Sequence, residues 1–105
     1  MKNEFLVIYT TFPTMRTAKE IVDGLVRTKR AACGNIFKLH SIYRWKGRIE
    51  KCTEYGAFIK TRISKYRSVQ RYIEENHPYD VPEIIALNID RGQRDYLDWL
   101  RQTTV

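Results

Sequence analysis

The residues of this chain best suited to chemistry lie in "ENHPYDVPEIIAL", residues 75–87, where a histidine, a tyrosine and three carboxylates accompany two prolines. Imidazole and carboxylate groups together suit Cu(II), Zn(II) or Ni(II). The candidate ligands for such a metal are His77, Asp80 and Glu83, together with His40, Cys33 and Cys52 elsewhere in the chain. The H-x2-D-x2-E spacing is not the signature of a closed metal site, and the local sequence favours a second interpretation, in which His77 only ends a helix and hydrogen-bonds a free carbonyl.

Motifs of enzymes that work through a nucleophile are absent from the sequence, which has neither a nucleophile elbow nor a cysteine motif of known mechanism. The five glycines are scattered, and none opens a strand-to-helix turn as a phosphate-binding loop requires. We therefore expect no enzymatic activity. RNA binding is a distant alternative, because Tyr55-Gly56 lacks the basic residue and glycine before it and the second aromatic residue after it that RNA-recognition motifs use.

The composition indicates one globular domain over residues 1–105, because 43% of the residues are apolar and they are spread along the whole chain. Without an apolar run of about 18 residues or a secretory signal, we expect a cytoplasmic protein that does not span a membrane. Cys33 and Cys52 have no CxxC spacing and are predicted to be reduced thiols. The net charge of +7 suits an anionic partner, but the basic residues are dispersed, which favours a solvated surface.

Hydrophobic periodicity predicts a strand over residues 4–12 and then an amphipathic helix that begins near Thr14, with Thr17 and Glu20 as a capping box. The period drops to two from residue 31, which indicates a strand to Trp45. The chain then turns at Gly47 and returns as a second strand to residue 62.

The second half of the chain predicts a helix capped by Ser64 and ended at His77 by the following proline. A buried strand is expected over residues 82–89, and a last helix from about Gln93, with a frayed tail "QTTV". The fold class is therefore α+β, a ferredoxin-like βαββαβ sandwich with an extended hairpin and a C-terminal helix.

The length of the hairpin has a consequence for assembly. Two strands of about fourteen residues extend roughly 45 Å, which exceeds the size of a domain of this length. Unpaired edges carrying Phe37, Tyr43 and Trp45 invite association. We therefore expect copies of the chain to cover each other.

Two long stretches resemble the CutA family of small divalent-cation tolerance proteins. They are "AACGNIFKLHSIYRWKGRIEKCTEYGAFIKTR" and "HPYDVPEIIALNIDRGQRDYLDWL", and the likeness runs from about Phe5 to Leu100. The resemblance implies a ferredoxin-like subunit, related in architecture to PII signalling proteins. It also implies assembly as a homotrimer, in which the strands of one subunit extend the sheet of the next, and a role in tolerance of copper and heavy metals.

The resemblance also bears on the metal ligands. Family members with a proposed copper site have a cysteine at the end of the first strand and two histidines directly before Pro-Tyr. This chain has Tyr9, Asn76 and His77 at those positions, so it retains one of the three.

Two functions are expected. The first is a cytoplasmic CutA-like homotrimer in metal response, which takes Cu(II) or another divalent metal at His77, Asp80 and Glu83. The second is a PII-like module whose intersubunit cleft accepts a small anion or a partner's loop. The residues predicted to line that cleft, which could equally be trimer core, are Tyr43, Trp45, Lys60, Tyr79 and Trp99.

Overall fold

A computed structural model describes residues 3–105. Its strands and helices follow the order βαββαβα along the chain. The elements are β1 (Phe5–Phe12), α1 (Met15–Arg27), β2 (Cys33–Trp45), β3 (Arg48–Arg62), α2 (Tyr66–Asn76), β4 (Ile84–Asn88) and α3 (Arg94–Thr103). The strands form one antiparallel sheet in the order β2-β3-β1-β4. The ferredoxin-like α+β prediction, including the C-terminal helix, is confirmed.

The main core lies between α1, α2 and one face of the sheet. Even-numbered residues of β1 point to this face because side chains alternate along a strand, and Ile8 and Phe12 are fully buried there. The helices contribute apolar residues at helical spacing, such as Leu25 and Ile73. Odd-numbered residues of β1 consequently point to the opposite face, which we call the open face.

The open face is covered at one end only. There α3 packs through Leu100 against Phe5 and Ala32. Further along, the rings of Tyr9, Phe37 and Phe58 contact each other, with centroids 4.9 to 6.4 Å apart. The exposed side chains Phe58, Ile85 and Leu87 continue this apolar strip towards β4, so residues 3–105 leave most of the open face uncovered.

The hairpin of β2 and β3 projects beyond the rest of the sheet. β1 ends at the pair Phe12 and Tyr55, so residues 48–54 of β3 pair only with β2. Lys46 and Gly47 both have positive φ, of 50° and 78°, and form the turn. The extended hairpin and the position of its turn are as predicted.

The predicted cap of α1 is wrong. Thr14 is the N-cap, and its Oγ1 accepts a hydrogen bond of 3.1 Å from the backbone N–H of Thr17. Thr17 therefore lies inside the helix, where it receives no capping role. Glu20 pairs with Arg16 instead. The helix begins at Met15, as expected near Thr14, and only the capping residue differs from the prediction.

The predicted start of α2 and the predicted frayed tail are also wrong. Ser64 lies in a short 3-10 turn, and Lys65 precedes α2 without a side-chain cap. At the other end of the chain, Thr104 is fully buried, and its hydroxyl donates to the carbonyl of Leu100 over 2.9 Å. Arg62 binds the carbonyl of Thr104 over 2.7 Å, which holds the tail to β3.

Candidate functional site

An open groove with a volume of about 550 Å³ lies between the projecting hairpin and the segment that follows α2. We call it the hairpin groove. Two structural features form it: the hairpin extends past β1, and α2 ends at Asn76, so that residues 78–83 cross beside the strands. Its lining residues are Thr11, Tyr43, Trp45, Glu54, Pro78, Tyr79, Asp80, Val81 and Glu83.

Glu54 and Tyr79 connect the two sides of the groove. The Tyr79 hydroxyl donates a hydrogen bond of 2.9 Å to Oε2 of Glu54. Glu54 is only 6% exposed, although it belongs to the part of β3 that extends beyond β1. Burial and this bond raise the pKa of Tyr79 well above its usual range, since ionisation would place a second negative charge beside the carboxylate.

His77 is held by contacts on every side of its ring. Nδ1 accepts a hydrogen bond of 3.0 Å from the backbone N–H of Tyr79, so Nε2 donates to the carbonyl of Thr11 at 2.7 Å. The ring also stacks on Phe12, with centroids 5.2 Å apart. His77 therefore ends α2 and fastens the next segment to β1, and both of its nitrogens are occupied.

The structure does not gather the three predicted metal ligands into one site. Asp80 and Glu83 line the hairpin groove, whereas His77 is absent from that lining. Over residues 3–105, no three His, Cys, Asp or Glu side chains are grouped so that they could hold a metal ion. The chain therefore offers carboxylates at the groove and an imidazole that is engaged elsewhere.

Three of the five predicted cleft residues line the hairpin groove, namely Tyr43, Trp45 and Tyr79. The other two lie elsewhere. Lys60 donates to the side-chain oxygen of Asn35, one strand away on β2, and Trp99 packs on Tyr96 within α3. The strands and helices that carry these two residues place them outside the groove.

Sequence reasoning missed Glu54 and Thr11 as groove residues. Glu54 occurs in an alternating strand of ordinary composition, so only the position of the hairpin relative to residues 78–83 brings it to the groove. Thr11 contributes through the end of β1, and its carbonyl accepts from His77. No local signal in the sequence distinguishes either residue.

The charged side chains that line the groove are all acidic. Three carboxylates line it, and among residues 3–105 its lining includes no lysine, arginine or histidine. Burial first, and then the charges of Glu83 and Glu54, raise the pKa of Tyr9 nearby. The pKa of Tyr43 is also raised, chiefly by its hydrogen bond with Cys52 and in part by Glu54. This site suits a cation and opposes an anion.

The two cysteines are free and half-buried. The Cys33 sulfur lies 3.5 Å from the hydroxyl of Tyr96, which joins β2 to α3. This contact, together with burial, raises the pKa of Tyr96 to about 12. The Cys33 thiol thus packs against a tyrosine hydroxyl.

The sequence matches a known protein family. Residues 6–103 match the family described as CutA1 divalent ion tolerance protein. The chain belongs to the CutA1 family. Among its CutA relatives, the divalent-cation tolerance protein CutA of Pyrococcus horikoshii is 39% identical over 99 residues, which are 94% of this chain and 97% of that protein. The protein of the same name from Thermus thermophilus is 41% identical, over 93% of this chain and 96% of its own.

Solved CutA structures share the fold. The structure of the periplasmic divalent cation tolerance protein CutA from Archaeoglobus fulgidus superposes with a TM-score of 0.95 at 38% identity, covering 96% of this chain and 99% of that one. CutA1 from Oryza sativa gives 0.94 at 36% identity, covering 98% and 95%. These values confirm the CutA assignment drawn from the sequence.

Tyr9 and Asn76 have structural roles in this CutA1 chain. Tyr9 packs its ring against Phe58, at 5.8 Å between centroids, and Asn76 donates to the carbonyl of Tyr72 over 2.8 Å. Both residues therefore make structural contacts at positions where the resemblance implied copper ligands in other members.

Across residues 3–105, no helix is long and apolar enough to cross a membrane.

Proposed function

We propose that this chain functions in divalent-cation tolerance as a homotrimer that binds its ligands and catalyses no reaction. The observation that carries the proposal is the match of residues 6–103 to the CutA1 family, whose relatives in bacteria and archaea bear that function in their names. We place this function in the cytoplasm, as expected from the sequence. The relative from Arabidopsis thaliana is described as chloroplastic, and the solved protein from Archaeoglobus fulgidus as periplasmic.

The uncovered strip on the open face supports assembly. Phe58, Ile85 and Leu87 expose apolar side chains side by side, and within residues 3–105 the outer edges of β2 and β4 pair with no further strand. Such a surface is stabilised when another sheet covers it and when its edges are paired. Copies of this chain are the proposed cover, and a closed ring of three leaves no edge free.

Light scattering tests the assembly, with an expected mass of three times 12.5 kDa. Leu87→Asp places a charge in the strip, where the side chain is now 59% exposed, and should give monomers. Val26→Asp is the matched control, because Val26 is an exposed apolar residue, at 37%, on the helical side of the sheet. A wild-type monomer, or equal dissociation of both variants, would contradict the proposed interface.

The groove carboxylates Asp80 and Glu83 are the residues that would hold a divalent ion. Carboxylate oxygens are hard ligands, which favour Mg²⁺, Ca²⁺ or Mn²⁺ over copper. His77 does not fit a ligand role in this conformation, because both of its ring nitrogens bond to the backbone. The predicted site of three residues thus reduces to two oxygen donors.

Calorimetry with Cu(II), Zn(II) and Mn(II) distinguishes these alternatives. We expect weak binding, at about millimolar Kd, that Asp80→Asn combined with Glu83→Gln abolishes. His77→Gln should leave the ion affinity unchanged. Loss of binding in the His77 variant alone, with the fold retained by circular dichroism, would restore His77 as a ligand and refute the carboxylate assignment.

The hairpin groove favours a second function, a binding module of the PII-like type. Its volume and its lining by three aromatic residues are those of a small-molecule site. The small anion expected from the sequence does not suit it, because its charged lining residues, Glu54, Asp80 and Glu83, are all acidic. Native mass spectrometry of the purified protein tests this function through a retained ligand.

A further inference from the structure

The hairpin groove concentrates negative charge on a chain whose net charge is +7. Glu54, Asp80 and Glu83 all line it, while the hairpin turn beside it is basic, with Lys46 and Arg48. The chain has 19 lysines and arginines against 12 aspartates and glutamates, yet among residues 3–105 no basic residue lines the groove. The local reversal of sign therefore selects for a positively charged ligand.

Aromatic faces accompany these carboxylates. Trp45 and Tyr43 are 47% and 43% exposed and lie on the side of the hairpin that faces residues 78–83. The Trp45 ring already carries a cation, since Nζ of Lys46 lies 5.9 Å from its centroid. An aromatic ring attracts a cation to its face, and tryptophan does so most strongly.

The buried end of the groove is rigid and charged. Glu54 is fixed by the hydroxyl of Tyr79, and the backbone N–H of Tyr79 is in turn fixed by His77. The groove therefore has a positioned carboxylate at its base and two solvent-facing carboxylates, Asp80 and Glu83, at its rim. A preformed arrangement of this kind lowers the cost of ordering the site when a ligand binds.

The size of the groove sets the kind of cation. A volume of about 550 Å³ far exceeds what a bare metal ion fills, so an ion held weakly by Asp80 and Glu83 alone would leave most of the groove empty. An alkylated ammonium group carries a diffuse charge and apolar methyl groups, which suit aromatic faces and carboxylates together. We propose that the hairpin groove binds a small organic cation that bears an alkylated ammonium group, with Trp45 and Tyr43 against its methyl groups. This inference rests on the second proposed function, the binding module.

The test compares choline with its uncharged isostere 3,3-dimethylbutan-1-ol by calorimetry on the full chain in its native assembly. We expect choline to bind and the isostere to bind at least about tenfold more weakly, since only its charge differs. Equal affinity for the two, or no binding of choline, overturns the inference.

Variants locate the site. Trp45→Leu should weaken choline binding by about three- to thirtyfold, the range of a cation-π contact, and Glu83→Gln should weaken it as well. Trp99→Leu is the matched control, because Trp99 is 43% exposed on α3, outside the groove, and should have no effect. If Trp45→Leu binds choline as tightly as the wild type, the groove is not the site. Light scattering and the metal titration on the same samples report separately on the trimer and on ion binding, so a trimer that ignores choline refutes this inference alone.

Discussion

The hydroxyl of Tyr79 lies 2.9 Å from Oε2 of Glu54, and this bond joins the segment after α2 to the projecting part of β3. It is one of two hydrogen bonds made by Tyr79, since the backbone N–H of Tyr79 also donates to Nδ1 of His77. Together they hold one side of the hairpin groove against the other. The shape of the groove therefore depends on a tyrosine that sequence reasoning treated only as a cleft residue.

Removing that hydroxyl tests how much the tie stabilises the fold. Tyr79→Phe leaves the buried Glu54 carboxylate without its bond and should lower the free energy of unfolding by about 1–3 kcal/mol at neutral pH. Urea denaturation measures the change. Tyr96→Phe is the control, because its hydroxyl only meets the Cys33 sulfur at 3.5 Å, and it should cost clearly less. Equal losses would mean that the Glu54 contact contributes nothing special.

Alkaline stability follows from the raised pKa of Tyr79. The folded pKa lies above the ordinary value of 10.0, so the folded state retains a proton that the unfolded chain loses first. The contribution is complete below about pH 10 and is lost as the pH rises through the folded pKa. Unfolding free energy of the wild type should therefore fall from about pH 10 upward, and more steeply than that of Tyr79→Phe. Parallel curves for the two proteins would contradict the raised pKa.

The ion pair of Arg101 and Glu4 should make the protein lose stability in acid. Arg101 binds both oxygens of Glu4, at 2.6 and 2.9 Å, and this hydrogen bonding lowers the pKa of Glu4 below 4.5. The resulting stability is present above about pH 4.5 and is lost as the pH falls through the folded pKa. Arg101→Gln should flatten the acid limb of a stability-versus-pH curve. Arg94→Gln, on the same helix with only a loose contact to Asp95, should leave that limb unchanged.

At Gly24 in α1, the cost of a steric clash can be compared with the gain in helix propensity that alanine would bring. A Cβ at this position would lie 1.9 Å from the Tyr72 hydroxyl oxygen and 2.7 Å from Cζ of the ring. Gly24→Ala should therefore destabilise the protein by about 1–3 kcal/mol, despite a gain in helix propensity of about 1 kcal/mol. In a Tyr72→Ala background the same change should become stabilising, as judged by thermal unfolding of the four proteins in the cycle. If the sign does not reverse, Tyr72 is not the cause.

Local patterns were sufficient for the order of the elements. The alternation of residues 31–62 predicted the hairpin, and Pro78 ended α2 where expected, because both features depend on neighbours in the chain. Helix starts were less determined. Several hydroxyls lie near each start, and the point at which β1 or β3 ends decides whether one of them caps the helix. Thr14 caps α1, whereas Ser64 falls in a 3-10 turn and α2 has no side-chain cap.

The sequence by itself thus determined the elements, the family and the presence of acidic and aromatic residues before β4. Only the tertiary structure decided which of these residues share a site. Asp80 and Glu83 line the same groove as Trp45 because the hairpin extends beyond the end of β1. The His77 ring, in contrast, hydrogen-bonds the backbone carbonyl of Thr11. Glu54 joins them from a strand about 25 residues away in sequence. The physical reason is that local periodicity specifies the face on which a side chain lies, while the length and crossing of packed elements specify its neighbours.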